Sequence, residues 1–112
     1  MKYRIYCISE KGSDRYERSK KRISDLGFEF VHVPAIRPVA MVNYDGSGMR
    51  RYWGCDMSLG ELGCFLAHRE AWKMISNNES GPVLIVEDDV GFKPGAEHAI
   101  AGVLASMPLS DL

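Results

Sequence analysis

Residues 82–92, PVLIVEDDVGF, limit what this chain can fold into more than any other stretch. Residues 83–86 are an unbroken apolar run, bounded by Gly81 and Pro82 before it and by Glu87, Asp88 and Asp89 after it. The run is too short for a helix and carries no polar alternation. It therefore reads as a strand covered on both faces, as central strands of parallel sheets are. Three consecutive carboxylates at the end of such a strand repel one another where water screens poorly, unless a cation or hydrogen-bond donors sit among them. The triplet is thus a candidate site. A solvated acidic turn, or a cap on the next helix, is the alternative reading.

A parallel sheet needs helices between its strands, and the rest of the chain supplies them. Residues 3–9, YRIYCIS, read as a first strand. Ser13 is placed to cap a helix over residues 14–26, in which Tyr16, Ile23 and Leu26 share one side and after which Gly27 is a stop. Residues 28–33, FEFVHV, alternate as a second strand. Pro34 and Pro38 break regular structure, and residues 43–57, NYDGSGMRRYWGCDM, read as a loop long enough to suspect function. Ser58 and Glu61 make an S-x-x-E capping box at the head of the clearest helix, which ends by Asn77 and Asn78. A last helix covers about residues 95–107. The order β-α-β-loop-α-β-α predicts an α/β fold: an open, mostly parallel sheet with flanking helices.

Bulk properties exclude several classes. At 112 residues the chain is a single domain, 1–112. Lys+Arg 14 against Asp+Glu 15 leaves a formal charge of −1, which calls for neither nucleic acid nor an anionic membrane. The amino terminus has charges at Lys2 and Arg4 and no long apolar run, which argues against a secretory leader, and no segment reaches membrane-spanning length. Cys7, Cys55 and Cys64 are odd in number and lack metal-site spacing, so they read as buried free thiols of a protein in a reducing cytoplasm.

Ligands of open α/β sheets sit beyond the carboxyl ends of the strands, where the acidic triplet falls. If strand alternation continues through it, Glu87 and Asp89 face one side and Asp88 the other. Such a pair could share a hard cation, Mg²⁺ or Mn²⁺, that neutralises a departing diphosphate. On the capped helix, 100° steps place Glu61, Cys64, Phe65, His68, Trp72 and Ile75 in one sector. Glu61 and His68 are then two ionisable groups within an apolar face, either of them a candidate catalytic base or ligand-orienting group. The alternatives are a capping role for Glu61 and a satisfied core histidine at His68.

Receiver domains also run an apolar strand into paired acids. There, however, the acids end the first strand and a phosphoacceptor aspartate ends a later one, whereas here Asp111 is the sole aspartate after Asp89. A fuller resemblance covers nearly the whole chain. The first strand leading into SDR at 13–15, LGFEF, PAI, SLGELGCFLAHREAW at 58–72 and VLIVEDDVGFKP at 83–94 together resemble glycosyltransferase family 25. This is the family of bacterial lipopolysaccharide and lipooligosaccharide galactosyltransferases and of the related collagen galactosyltransferase domain.

The resemblance implies the nucleotide-sugar-binding half of a GT-A fold, with Glu87, Asp88 and Asp89 as its DxD-like element. Glu87 and Asp89 would hold Mn²⁺ or Mg²⁺, and Ser13, Arg15 and Asp88 would lie at the nucleotide of a UDP-sugar, UDP-galactose or a close relative. It further implies an inverting transfer of a hexose to a lipopolysaccharide-type acceptor, in the cytoplasm and with peripheral attachment to the inner membrane left open. The family's first-strand Asn falls at Ile8 or Ser9 here. Family members also continue past the acidic motif, so the 112 residues read as an incomplete, N-terminal donor-binding portion. An unpaired sheet edge would then favour a homo-oligomer. Two other readings stand beside the enzyme: a non-catalytic nucleotide-sugar-binding module, and a self-associating interaction domain.

Overall fold

The computed structural model describes residues 2–38 and 58–107. The long loop expected at 43–57, with Cys55, lies outside the described residues. Strand β1 (Arg4–Ser9), helix α1 (Asp14–Asp25), strand β2 (Glu29–Pro34), helix α2 (Leu59–Asn78), strand β3 (Leu84–Glu87) and helix α3 (Ala96–Ser106) follow in the expected order. Their ends have local causes. The Ser13 hydroxyl accepts from the Tyr16 N–H, and Gly27 at φ 90° turns the chain out of α1. At α2 both bonds of the capping box form, Ser58 N–H to Glu61 Oε1 and Glu61 N–H to Ser58 Oγ, each at 3.1 Å.

The three strands are parallel in the order β2-β1-β3, with Tyr6 opposite both Val31 and Ile85. Alternation along β1 divides the core. Tyr6 and Ile8 pack with Val33 against Ala67 and Ala71 of α2, while Ile5 and Cys7 pack with Phe28 against Ile23 of α1. Ile100 of α3 joins the second group. Helices therefore cover both faces, which is what the apolar run in β3 demanded.

Two expectations are corrected. The central strand is β1, whose residues from Ile5 to Ser9 are all buried; β3 is half-buried and, among the described residues, pairs with β1 alone. A fully apolar run reports helices on both faces of a strand, not its place in the sheet. Also, α2 does not bury the sector of Phe65 and Trp72, which are 41% and 52% exposed. It buries Leu62, Gly63, Ala67 and Ala71. Small residues at every fourth position let the helix backbone lie close to the sheet, and that close fit outweighs the larger apolar area offered by the aromatics.

The far end of α2 is pinned by a polar cluster. Glu79, the residue that caps it, accepts from the Tyr6 hydroxyl and from Arg4 Nη1, both at 2.7 Å, while Arg4 Nε donates to Glu29 at 3.0 Å. Burial alone pushes the Glu79 carboxyl up, but the bonds from Arg4 and Tyr6 outweigh it and leave it below its ordinary value. The Tyr6 hydroxyl is pushed up to about 12, first by burial and then by Glu79, so it remains a donor. Glu79→Ala leaves that hydroxyl buried without its acceptor and is expected to cost about 1–3 kcal/mol at neutral pH. Because the folded carboxyl titrates below the unfolded one, its charge contributes fully above about pH 4.3 and is lost as pH falls through the folded value. Thermal melts of both proteins at pH 7 and pH 3 should show the gap narrowing in acid; a constant gap would assign the loss to packing alone.

Candidate functional site

A cleft of about 760 Å³ opens at the carboxyl ends of all three strands. Ile8 and Glu10 line it from the end of β1, Ala35 to Pro38 from the end of β2, and Glu87, Asp88 and Asp89 from the end of β3. Ser13 and Arg15 enter from the head of α1, and Leu59, Gly60, Gly63, Cys64 and Ala67 form the α2 wall. Five of the seven site residues expected from sequence, Ser13, Arg15, Glu87, Asp88 and Asp89, thus meet in one place. Glu61 and His68 are not among the lining residues.

β3 ends at Glu87, and Asp88 and Asp89 stand in a turn closed by the Val90 N–H on the Glu87 carbonyl at 3.2 Å. Strand alternation therefore does not set the directions of the triplet, as the sequence reading supposed. Helix α1 sets them instead. The buried Ser19 hydroxyl donates to the Asp88 carbonyl at 3.0 Å and Arg22 donates to the Val90 carbonyl at 3.2 Å, so the turn is clamped from below. The Asp88 carboxylate faces the Arg15 guanidinium at 3.9 Å. Ser13 does serve as a helix cap, and it does so at the cleft.

The cleft carries Glu10, Glu87, Asp88 and Asp89 against Arg15 and Arg37, four carboxylates to two guanidiniums. Arg37 is paired with Glu10 at 2.9 Å on the rim. An excess of negative charge at a cleft with an apolar wall of Ile8, Ile36, Leu59 and Ala67 suits a hard divalent cation, which takes carboxylate oxygens and keeps positions for water or phosphate.

On α2, Glu61 is exposed, and the Ser58 backbone N–H, then its hydroxyl, hold the carboxyl below its ordinary value. It is a capping acid in the geometry seen. His68 is half-buried, its Nδ1 2.9 Å from the Cys64 carbonyl oxygen and its ring tilted against Trp72, so it is not the core histidine of the alternative reading. Cys64, expected as a buried free thiol, is exposed at the cleft wall, where its Sγ lies 3.4 Å from Glu87 Oε1 and 3.7 Å from His68 Nδ1. Burial, then the neighbouring Glu87, raises that thiol above its ordinary value. The spacing of Cys64 and His68, four apart on a helix, was legible; the approach of Glu87, 23 residues on, was not.

Gly63 also escaped the sequence reading. A β-carbon there would run into the Ile36 carbonyl oxygen and come within 3.0 Å of Pro38 Cδ. The glycine sits within the second turn of α2 because the helix touches the chain leaving β2 at that point, and a helix-interior glycine was the available signal.

Parallel strands with helices on both faces and an acidic cleft at the strand ends define an open α/β protein with its candidate site at the carboxyl edge of the sheet. Within that class, the description glycosyltransferase family 25 (LPS biosynthesis protein) matches residues 2–109, and the chain belongs to this family. It is similar to a glycosyltransferase 25 family member of Anopheles gambiae, 32% identical over 112 residues, covering 90% of this chain and 19% of that protein. A Drosophila melanogaster glycosyltransferase 25 family member is 31% identical over 81% of this chain and 16% of its own length. Procollagen galactosyltransferase 1-B of Xenopus laevis is 28% identical over 88% of this chain and 18% of its own. The chain thus spans less than a fifth of the length of these relatives. No solved structure matches it significantly. No helix among the described residues is long and apolar enough to cross a membrane.

Proposed function

We propose that this chain is the donor-binding portion of a hexosyltransferase that takes a UDP-sugar, UDP-galactose or a close relative, in the presence of Mn²⁺ or Mg²⁺. The observation that carries the reading is the charge of the cleft. A diphosphate entering beside four carboxylates and two guanidiniums meets net repulsion, which a divalent cation reverses. Glu87 and Asp89 are the residues to hold that cation, whose chemistry is neutralisation of the diphosphate as it leaves. Arg15 is placed to bind a phosphate oxygen and, across 3.9 Å, to keep Asp88 in position. The wall of Ile8, Ile36, Leu59 and Ala67 excludes water from one side of the ligand.

Membership of the family and the galactosyltransferase named among its relatives support the sugar and the reaction class. Inversion at the anomeric carbon and a lipopolysaccharide-type acceptor belong to the same proposal, with His68, whose Nδ1 is 3.7 Å from the sulfur of the cleft-lining Cys64, as the base to test first. A cytoplasmic setting and pairing of two copies through an outer strand complete it, since β2 and β3 each pair only with β1 among the described residues. The second reading, a module that binds the nucleotide without turnover, is favoured by the same cleft if the base lies elsewhere. Titration calorimetry with UDP tests the reading shared by both. Heat of 1:1 binding is expected with Mn²⁺ and none with EDTA; equal binding in the two would overturn the metal role. UDP formation from UDP-galactose then separates enzyme from module.

A further inference from the structure

Cys64 Sγ, a ring nitrogen of His68 and a carboxylate oxygen of Glu87 all lie within 4.8 Å of one another. Ligand atoms around a tetrahedral zinc ion, at bonds of about 2.3 Å to sulfur and 2.0–2.1 Å to nitrogen or oxygen, stand about 3.5 Å apart. The sulfur here is 3.7 Å from His68 Nδ1 and 3.4 Å from Glu87 Oε1. Both distances from the sulfur therefore match that spacing, and the third pair lies within 4.8 Å. Thiolate and imidazole are the ligands of a borderline-soft ion, whereas Mn²⁺ and Mg²⁺ favour the all-oxygen set of the acidic turn.

We propose that Cys64, His68 and Glu87 form a three-ligand site for a zinc-class divalent cation in the wall between α2 and β3, with its fourth position left for water or another donor. The residues come from two elements held in place independently. Cys64 and His68 are one turn apart on α2, whose buried face fixes its rotation, and Glu87 ends the strand paired with Ile8. Binding releases the thiol proton to solvent and exchanges the 2.9 Å contact between His68 Nδ1 and the Cys64 carbonyl for a metal bond. Cys64 and Glu87 also line the cleft, so an ion held here takes Glu87 away from the carboxylates offered to a hard cation. The site does not depend on the transferase reading, although it shares Glu87 and His68 with it.

Cobalt titration of the full chain tests it, with Co²⁺ as a spectroscopic stand-in for zinc. The wild-type protein is expected to develop thiolate-to-cobalt charge-transfer absorption at one equivalent, bleached by Zn²⁺. Cys64→Ser, at an exposed position that leaves the core untouched, should lose that absorption and weaken zinc binding at least about 100-fold. Glu87→Gln should weaken it about tenfold or more. Asp89→Asn should keep the absorption while losing Mn²⁺-dependent UDP binding, which separates failure of this site from failure of the donor site. Absence of the band in the wild type, or its persistence in Cys64→Ser, would overturn the proposal.

Discussion

Gly63→Ala is expected to lower the stability of the fold, although alanine is the better helix former. In an exposed helix the exchange gains about 0.5–1 kcal/mol. Here the new methyl meets the Ile36 carbonyl and Pro38, backbone and ring rather than the end of a flexible side chain. Overpacking of that kind costs about 1–3 kcal/mol and exceeds the propensity gain. Each kcal/mol lost lowers Tm by about 4–8 °C in a domain of this size. The residues displaced, 36–38, are also a wall of the cleft, so ligand affinity should fall with stability. Gly60, whose β-carbon would meet only Ser58 Oγ at 3.9 Å, is the control: Gly60→Ala should be neutral or stabilising. A Gly63→Ala protein that melts at or above the parent would show that α2 does not press on the β2 exit.

The second large effect is on binding alone. Asp89 is exposed in the turn after β3 and lines the cleft. Asp89→Asn removes charge without removing packing, so Tm should stay within about 1 °C of the parent, as for surface exchanges generally. Mn²⁺-dependent UDP binding should fall at least about 100-fold, about 2.7 kcal/mol. Ser19→Ala acts on the same turn from beneath: it frees the Asp88 carbonyl, and a smaller loss of UDP affinity together with some stability is expected. If Asp89→Asn binds UDP and Mn²⁺ as the parent does, Asp89 is not a ligand.

Why some of this could be read from the chain and some could not follows from the range of the forces involved. The capping box at Ser58 and Glu61, the stop at Gly27 and the apolar run before Glu87 are local signals, and each element they mark is present. The placing of the acids at the strand ends follows from parallel topology. The buried face of α2 did not follow, because a helical sector is weighed by apolar size, whereas contact with the sheet selects Ala67 and Ala71, and contact with the chain leaving β2 selects Gly63, for closeness. The course of the acidic turn depends on Ser19 and Arg22, which lie 69 and 68 residues before the carbonyls they hold. The meeting of Cys64 with Glu87 is likewise a tertiary event that no spacing encodes.

The most direct test of the proposed donor site is to follow where added manganese binds. In a ¹⁵N-labelled chain, Mn²⁺ added with UDP should broaden the amide resonances of residues 87–89 and of 8–15 first, those nearest the cleft at the ends of β3 and β1. Amides at the opposite end, around Arg4 and Glu79, should remain sharp. Broadening that is indifferent to UDP, or that centres away from the β3 turn, would contradict a metal-bound diphosphate in this cleft.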